Sequence, residues 1–214
     1  MAVYGSLARG TFREGESDVN LALVLAVASP QVLASLSAPV REAWRAARVE
    51  PLVLVHAELP RISDAFPIKL LDIKQHHDLI HGVEPFSELE VKWEDMRVRT
   101  EQELRNHLLR LRRGWLFAAG DVPALAPALF RSARSLVFEL EALLWLRHED
   151  VSGLAPHQLF EKAARVFGLD AAVLEALDTF RSGSRAPDVA ELYARLLDLV
   201  GRAAEIADRM DRDG

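Results

Sequence analysis

The chain has 214 residues, half of them hydrophobic, which is enough to bury a core and suits one large domain or two small ones. Its 26 lysines and arginines against 32 aspartates and glutamates leave a net charge of −6, so there is no global electrostatic grip on nucleic acid or on an anionic membrane. The absence of cysteine excludes disulfides, thiolate catalysis and thiolate zinc sites. No apolar stretch approaches the roughly 20 residues that cross a bilayer, so a cytoplasmic protein without a membrane partner is expected.

In chain order, Val3 and Tyr4 end a short strand, Gly5 and Ser6 turn tightly, and Leu7 to Arg9 are predicted to begin a helix. Free backbone N–H groups at such a helix start face the turn and can receive a phosphate. Gly5 permits close approach of a ligand, Ser6 offers a hydroxyl and Arg9 a cation. After a polar loop, Ser17 and Asp18 lead into an apolar, branched run over 19–27 that predicts a strand. Side chains alternate along a strand, so positions 18 and 20 project to one side. Two oxygen-bearing side chains presented together suit a hard cation such as Mg²⁺, although here the second of them is Asn20.

Helical spacing over 31–48 and a second apolar run over 49–56 continue an alternating α/β pattern, with Glu50 at the start of the second strand. The segment 58–91 is punctuated by Pro60, Pro67, Gly82 and Pro85, which predicts a short helix near 62–66, then loop with a minor strand or two. Within it, His77 and His81 would share a face if helical and could bind a transition metal, but solvent-facing histidines are the plainer reading. Lys69 and Lys74 likewise read as surface lysines before nucleotide contacts.

Near residue 92 the texture changes and the rest is helical. The fold class expected is α+β, with a small mixed-sheet domain over 1–91 and a helical bundle over 92–214. The first long helix, 93–120, places Leu104, Leu108, Leu111, Trp115 and Leu116 along an apolar face and stops at Gly120. Further helices are predicted over 123–148, 156–167, 170–181 and 187–210, with Pro123, Pro156 and Pro187 in first turns. Trp115, Phe130, Phe138 and Trp145 are expected in the core. Arg105, Arg110, Arg112 and Arg113 could line a cleft, but read more simply as a solvated face paired with Glu101 and Glu103.

The run Gly5-Ser6, then Ala8-Arg9-Gly10, then Ser17-Asp18 on a following strand resembles the nucleotidyltransferase fold of the DNA polymerase beta superfamily. The likeness is to its small prokaryotic and kanamycin-type members, and it covers about the first 60 residues. It implies that Gly5, Ser6, Arg9 and Ser17 contact a nucleoside triphosphate. It also implies that Asp18, Asn20 and Glu50 are the catalytic, metal-binding set, Asn20 standing where the second acid belongs.

The implied activity is transfer of a nucleoside monophosphate from an NTP to a hydroxyl of a small-molecule or protein acceptor. With a neutral Asn20 the set would hold a single Mg²⁺, and loss of one electrostatic stabiliser costs roughly 10²- to 10³-fold in rate. The alternative is a catalytically inactive nucleotide-binding or interaction module on the same scaffold.

Nothing resembles the helix-hairpin-helix units that grip DNA, so a nucleic-acid partner is not expected. The Arg-to-His spacing of HEPN ribonucleases is also absent. Relatives carry a helix and a longer strand before the Gly-Ser turn, where this chain has Met1 to Tyr4. Either the true start lies upstream, or the copy is shortened and an uncovered sheet face invites a homodimer.

Overall fold

The structure, a computed structural model, describes residues 1–15, 17–118, 121–183 and 188–211. The expected helix stop at Gly120 and first-turn Pro187 lie outside these residues. The chain is α+β and divides into two compact units, Met1–Lys92 and Trp93–Gly214.

The first unit runs β1 (Ala2–Tyr4), β2 (Val19–Leu25), α1 (Pro30–Ala47), β3 (Val49–Val55), a 3₁₀ turn (His56–Glu58), α2 (Leu59–Ala65), α3 (Pro67–Gln75) and β4 (His77–Leu79). The four strands form one mixed sheet in the order β3-β2-β1-β4, with β3 parallel to β2 and the other pairs antiparallel. A parallel pair needs a crossover, and α1 supplies it. That helix begins cleanly, because Pro30 tolerates a first-turn position and the Ser29 hydroxyl accepts the Val32 N–H at 3.3 Å.

Strand alternation sends Ala2, Tyr4, Ala22 and Leu54 to one face, where they pack with Leu59, Leu70, Ile73, Phe86 and Leu89. Each large side chain so buried contributes about 1.5–3 kcal/mol. α1 lies against β3 yet buries none of its residues, leaving Leu33 and Trp44 exposed. β3 is an edge strand and carries Pro51.

Two expectations for 58–91 are corrected. The segment after 66 is not a loop but helix α3, because Pro60 and Pro67 both sit in first turns, where their missing N–H groups lose no helical bond. His77 and His81 share no helix face, since His77 opens strand β4. The His77 ring instead bridges the Ile73 carbonyl through Nδ1 and the Glu84 carboxylate through Nε2, both at 2.7 Å.

Glu84 also accepts the Phe86 N–H at 2.7 Å. Burial alone would push its carboxyl up, but the hydrogen bonds from His77 and Phe86 and the charge on His77 outweigh that and hold it below its usual value. A lowered carboxyl pKa adds stability that is present above the unfolded value and is lost as pH falls through the folded one. Protection of the Phe86 amide against hydrogen exchange, taken relative to the intrinsic rate at each pH, should therefore fall as pH drops through the lowered carboxyl value, and in Glu84→Gln it should be lower at neutral pH and lose that acid step.

The second unit contains α4 (Trp93–Ala118), α5 (Val122–Leu146), α6 (Pro156–Phe167), α7 (Ala171–Arg181) and α8 (Val189–Asp208). α4 packs on α5 and α8, and α5 also meets α6 and α7. The Asp170 and Asp188 carboxylates accept first-turn N–H groups of α7 and α8, and Gly168 at φ 61° closes α6.

The core is built mainly from leucine: Leu104, Leu111, Leu129, Leu136, Leu140 and Leu143 are fully buried, beside Phe160 and Tyr193. The expected aromatic core is therefore corrected. Trp115 is 42% exposed, and Phe130, Phe138 and Trp145 are only partly buried.

The face of α4 also differs from expectation, because Leu116 is 77% exposed while Met96, Thr100, Leu104, His107 and Leu111 point inward. Steps of four, four, three and four keep these residues on one stripe, whereas Leu116 falls to the far side. Buried His107 meets buried Glu139 of α5 at 2.6 Å, a polar crosslink within the apolar layer. On the outer face Arg105 pairs with Glu101 at 2.7 Å and Arg99 with Glu103 at 2.6 Å. Arg113 stacks on Phe117 at 5.3 Å.

Candidate functional site

Gly5 follows the last residue of β1 with φ +74°, a conformation that only glycine adopts without strain. The residues after it make one helical turn rather than the start of a longer helix. Gly10, at φ +67°, donates to Leu7, and Thr11 donates to the Ser6 carbonyl at 2.8 Å, which closes the turn as a Schellman motif. The N–H groups of Ser6, Leu7 and Ala8 have no backbone partner among the described residues, and the Gly5 carbonyl accepts the Arg9 N–H at 2.9 Å.

Asn20 lies directly against this turn. A Cβ on Gly5 would sit 2.8 Å from Asn20 Nδ2, so position 5 must be glycine on contact grounds as well. Asn20 pairs in register with Tyr4 on one side and Glu50 on the other. Residues opposite one another project to the same face, so Tyr4, Asn20 and Glu50 form one row beside Gly5. Burial, then the nearby Asp72 and Glu50 carboxylates, pushes the Tyr4 phenol up to about 12. The phenol therefore stays protonated at neutral pH. Glu50 is exposed and makes no ion pair among the described residues.

Asp18, one residue before β2, faces a cation already in the chain. Arg48 Nε lies 2.8 Å from Asp18 Oδ1, and Arg48 Nη1 donates to the Gly15 carbonyl at 3.1 Å. The contact with Asp18 is an ion pair without an aligned hydrogen bond. Arg48 ends α1 in the left-handed region at φ 51°, ψ 43°, where a side chain costs about 1 kcal/mol relative to glycine. The pair is half exposed, and such pairs return about 0–1 kcal/mol. Stability alone does not account for arginine at this position.

These residues do not fit a pair of magnesium ions, nor a strong single one. Mg²⁺ is held through carboxylates together with phosphate oxygens. Here Asp18 is offset by Arg48, Asn20 is neutral, and Glu50 alone presents an uncompensated charge.

Arg9 and Ser17, two further expected contacts, are engaged elsewhere. Arg9 Nε donates to Oδ1 of Asp72 on α3 at 2.9 Å, and this guanidinium–carboxylate pair is buried, so Arg9 anchors the turn instead of reaching outward. The Ser17 hydroxyl accepts the Arg13 N–H at 3.1 Å and closes its own loop. Lys74 donates to the Leu89 carbonyl at 2.7 Å, and Lys69 stands 6.0 Å over the Tyr4 ring.

Sequence reading missed Tyr4, Arg48 and Asp72 as neighbours of the site. The available signals were a phenol next to the turn, a charged residue where a helix normally ends in glycine, and an acid spaced helically in a segment read as loop. No protein family, curated protein or solved structure matches the chain.

Proposed function

We propose that the Met1–Lys92 unit is a nucleotidyltransferase-type scaffold that binds a nucleoside triphosphate by its phosphates at the Gly5 turn. Transfer of the nucleoside monophosphate to a small-molecule or protein hydroxyl is reduced far below that of an intact site. The observation that carries this reading is the packing of the Asn20 amide against Gly5 with Glu50 beside it in register.

That arrangement joins a turn with open N–H groups to a row of oxygen-bearing side chains, which suits a phosphate chain. Weak catalysis follows from charge, because nucleotidyl transfer depends on electrostatic stabilisation and the acid row is largely neutralised. Tyr4, held protonated, offers a hydrogen-bond donor and no general base.

The test is binding of an NTP, followed by label transfer from α-labelled NTP with Mg²⁺ across a panel of hydroxyl acceptors. Saturable binding with transfer at or near background is expected. Asn20→Asp alone should gain less than tenfold, since Asp18 is still offset by Arg48. Rapid Mg²⁺-dependent transfer by the unaltered chain, abolished in Asp18→Ala, would show instead an intact transferase.

A further inference from the structure

The acid at position 18 has a resident cation, and its geometry says what the site accepts. We infer that the Arg48 guanidinium occupies the role a divalent ion would hold, so that the site takes a phosphate chain as a metal-free anion. This rests on the nucleotide reading above and adds the identity of the countercharge.

Three observations support it. First, Arg48 Nε stands 2.8 Å from Asp18 Oδ1, the place where a cation shared between acid and phosphate belongs. A guanidinium carries five N–H donors in a rigid fork matched to phosphate oxygens, and here Nε faces Asp18 and Nη1 the Gly15 carbonyl. The Arg48 side chain is 49% exposed, so a ligand can approach it from solvent.

Second, position 48 is a left-handed backbone site at φ 51°. Glycine would relieve that conformation, and neither the exposed ion pair nor helix capping requires arginine. An outlier of this kind points to a role for the side chain.

Third, the distance is suitable. Strand rise of about 3.3 Å per residue puts Asp18 roughly 7 Å from Asn20, which touches the Gly5 turn. Linked phosphates bridge such a span, one end on the turn amides and the other on Arg48. Asp18 then serves to orient the guanidinium and not to hold metal.

The experiment is calorimetric titration of the full chain with a non-hydrolysable ATP analogue, once in EDTA and once in Mg²⁺, with Mn²⁺ alone as a third titrant. Affinities within threefold of each other in EDTA and Mg²⁺ are expected, with no saturable Mn²⁺ binding. Arg48→Gly should weaken binding in EDTA at least tenfold while leaving the thermal midpoint unchanged or raised. Arg48→Lys, which keeps the charge and loses the fork, should fall between the two and serves if the glycine variant is not folded.

Binding that requires Mg²⁺ and is indifferent to both Arg48 substitutions overturns the inference and leaves the nucleotide reading standing. No binding of the analogue in either buffer overturns the nucleotide reading itself, and the inference with it.

Discussion

Arg9→Met should destabilise the first unit by about 3–5 kcal/mol, measured as a drop in the urea midpoint at unchanged slope. Arg9 and Asp72 are 7% and 10% exposed at their side chains, so the substitution strips a buried carboxylate of the guanidinium that accompanies it. Breaking one side of a buried pair is far costlier than replacing both sides, since the remaining charge keeps its desolvation penalty.

The double variant Arg9→Met/Asp72→Leu should therefore recover part of the loss. A coupling energy of about 2 kcal/mol or more between the two sites is expected. Because the pair ties the single turn after Gly5 to α3, Arg9→Met should also loosen the turn amides and weaken the nucleotide binding proposed for them. A cost below about 1 kcal/mol would mean that the turn is held in place by something else.

Gly114→Ala on α4 should cost about 2–4 kcal/mol, against the direction of helix propensity. Alanine in a helix interior is favoured over glycine by roughly 1 kcal/mol, so on an open face this change would stabilise. At 114 an added Cβ meets the Tyr193 hydroxyl oxygen, with Ala128 Cβ 3.9 Å away on the other side. Tyr193 cannot step aside, because its ring is fully buried and its hydroxyl donates to the Leu111 carbonyl at 2.9 Å.

Overpacking typically costs 1–3 kcal/mol, and a displaced buried hydroxyl adds a further 1–3 kcal/mol, so together they exceed the propensity gain. Burial already pushes the Tyr193 phenol up, in keeping with a group sealed from water. The paired variant Gly114→Ala/Tyr193→Phe removes the clashing oxygen and should regain a large part of the loss in thermal unfolding.

The elements that could be read from the letters are those whose signals are local. β2, α1 and β3 announce themselves through branched apolar runs and helical spacing bounded by polar residues. α3 was hidden because Pro67 looks like a break, while in a first turn it is a start. The inward stripe of α4 carries Thr100 and His107, polar residues whose burial no local spacing signals, and the partner of His107, Glu139, lies on another helix.

At the candidate site, the nearness of Gly5, Asn20 and Glu50 follows from a tight turn and two adjacent strands, which short-range spacing can encode. The partners that alter their chemistry come from afar. Asp72 is 63 residues from Arg9, and Arg48 reaches Asp18 across the α1 crossover. No pattern within a few residues records such pairings, so the charge state of the site is legible only in three dimensions.

The sheet terminates on β3, and that border strand contains Pro51. Proline persists in a ladder where its missing donor faces solvent, so the rim interrupts any strand that tries to zip onto it. Fibril-like growth from this side is discouraged even though Val53 and its neighbours are apolar. A second molecule settling here would have to rest on side chains, such as the exposed Leu33 and Trp44 of α1 beside β3, and not on a continued backbone ladder.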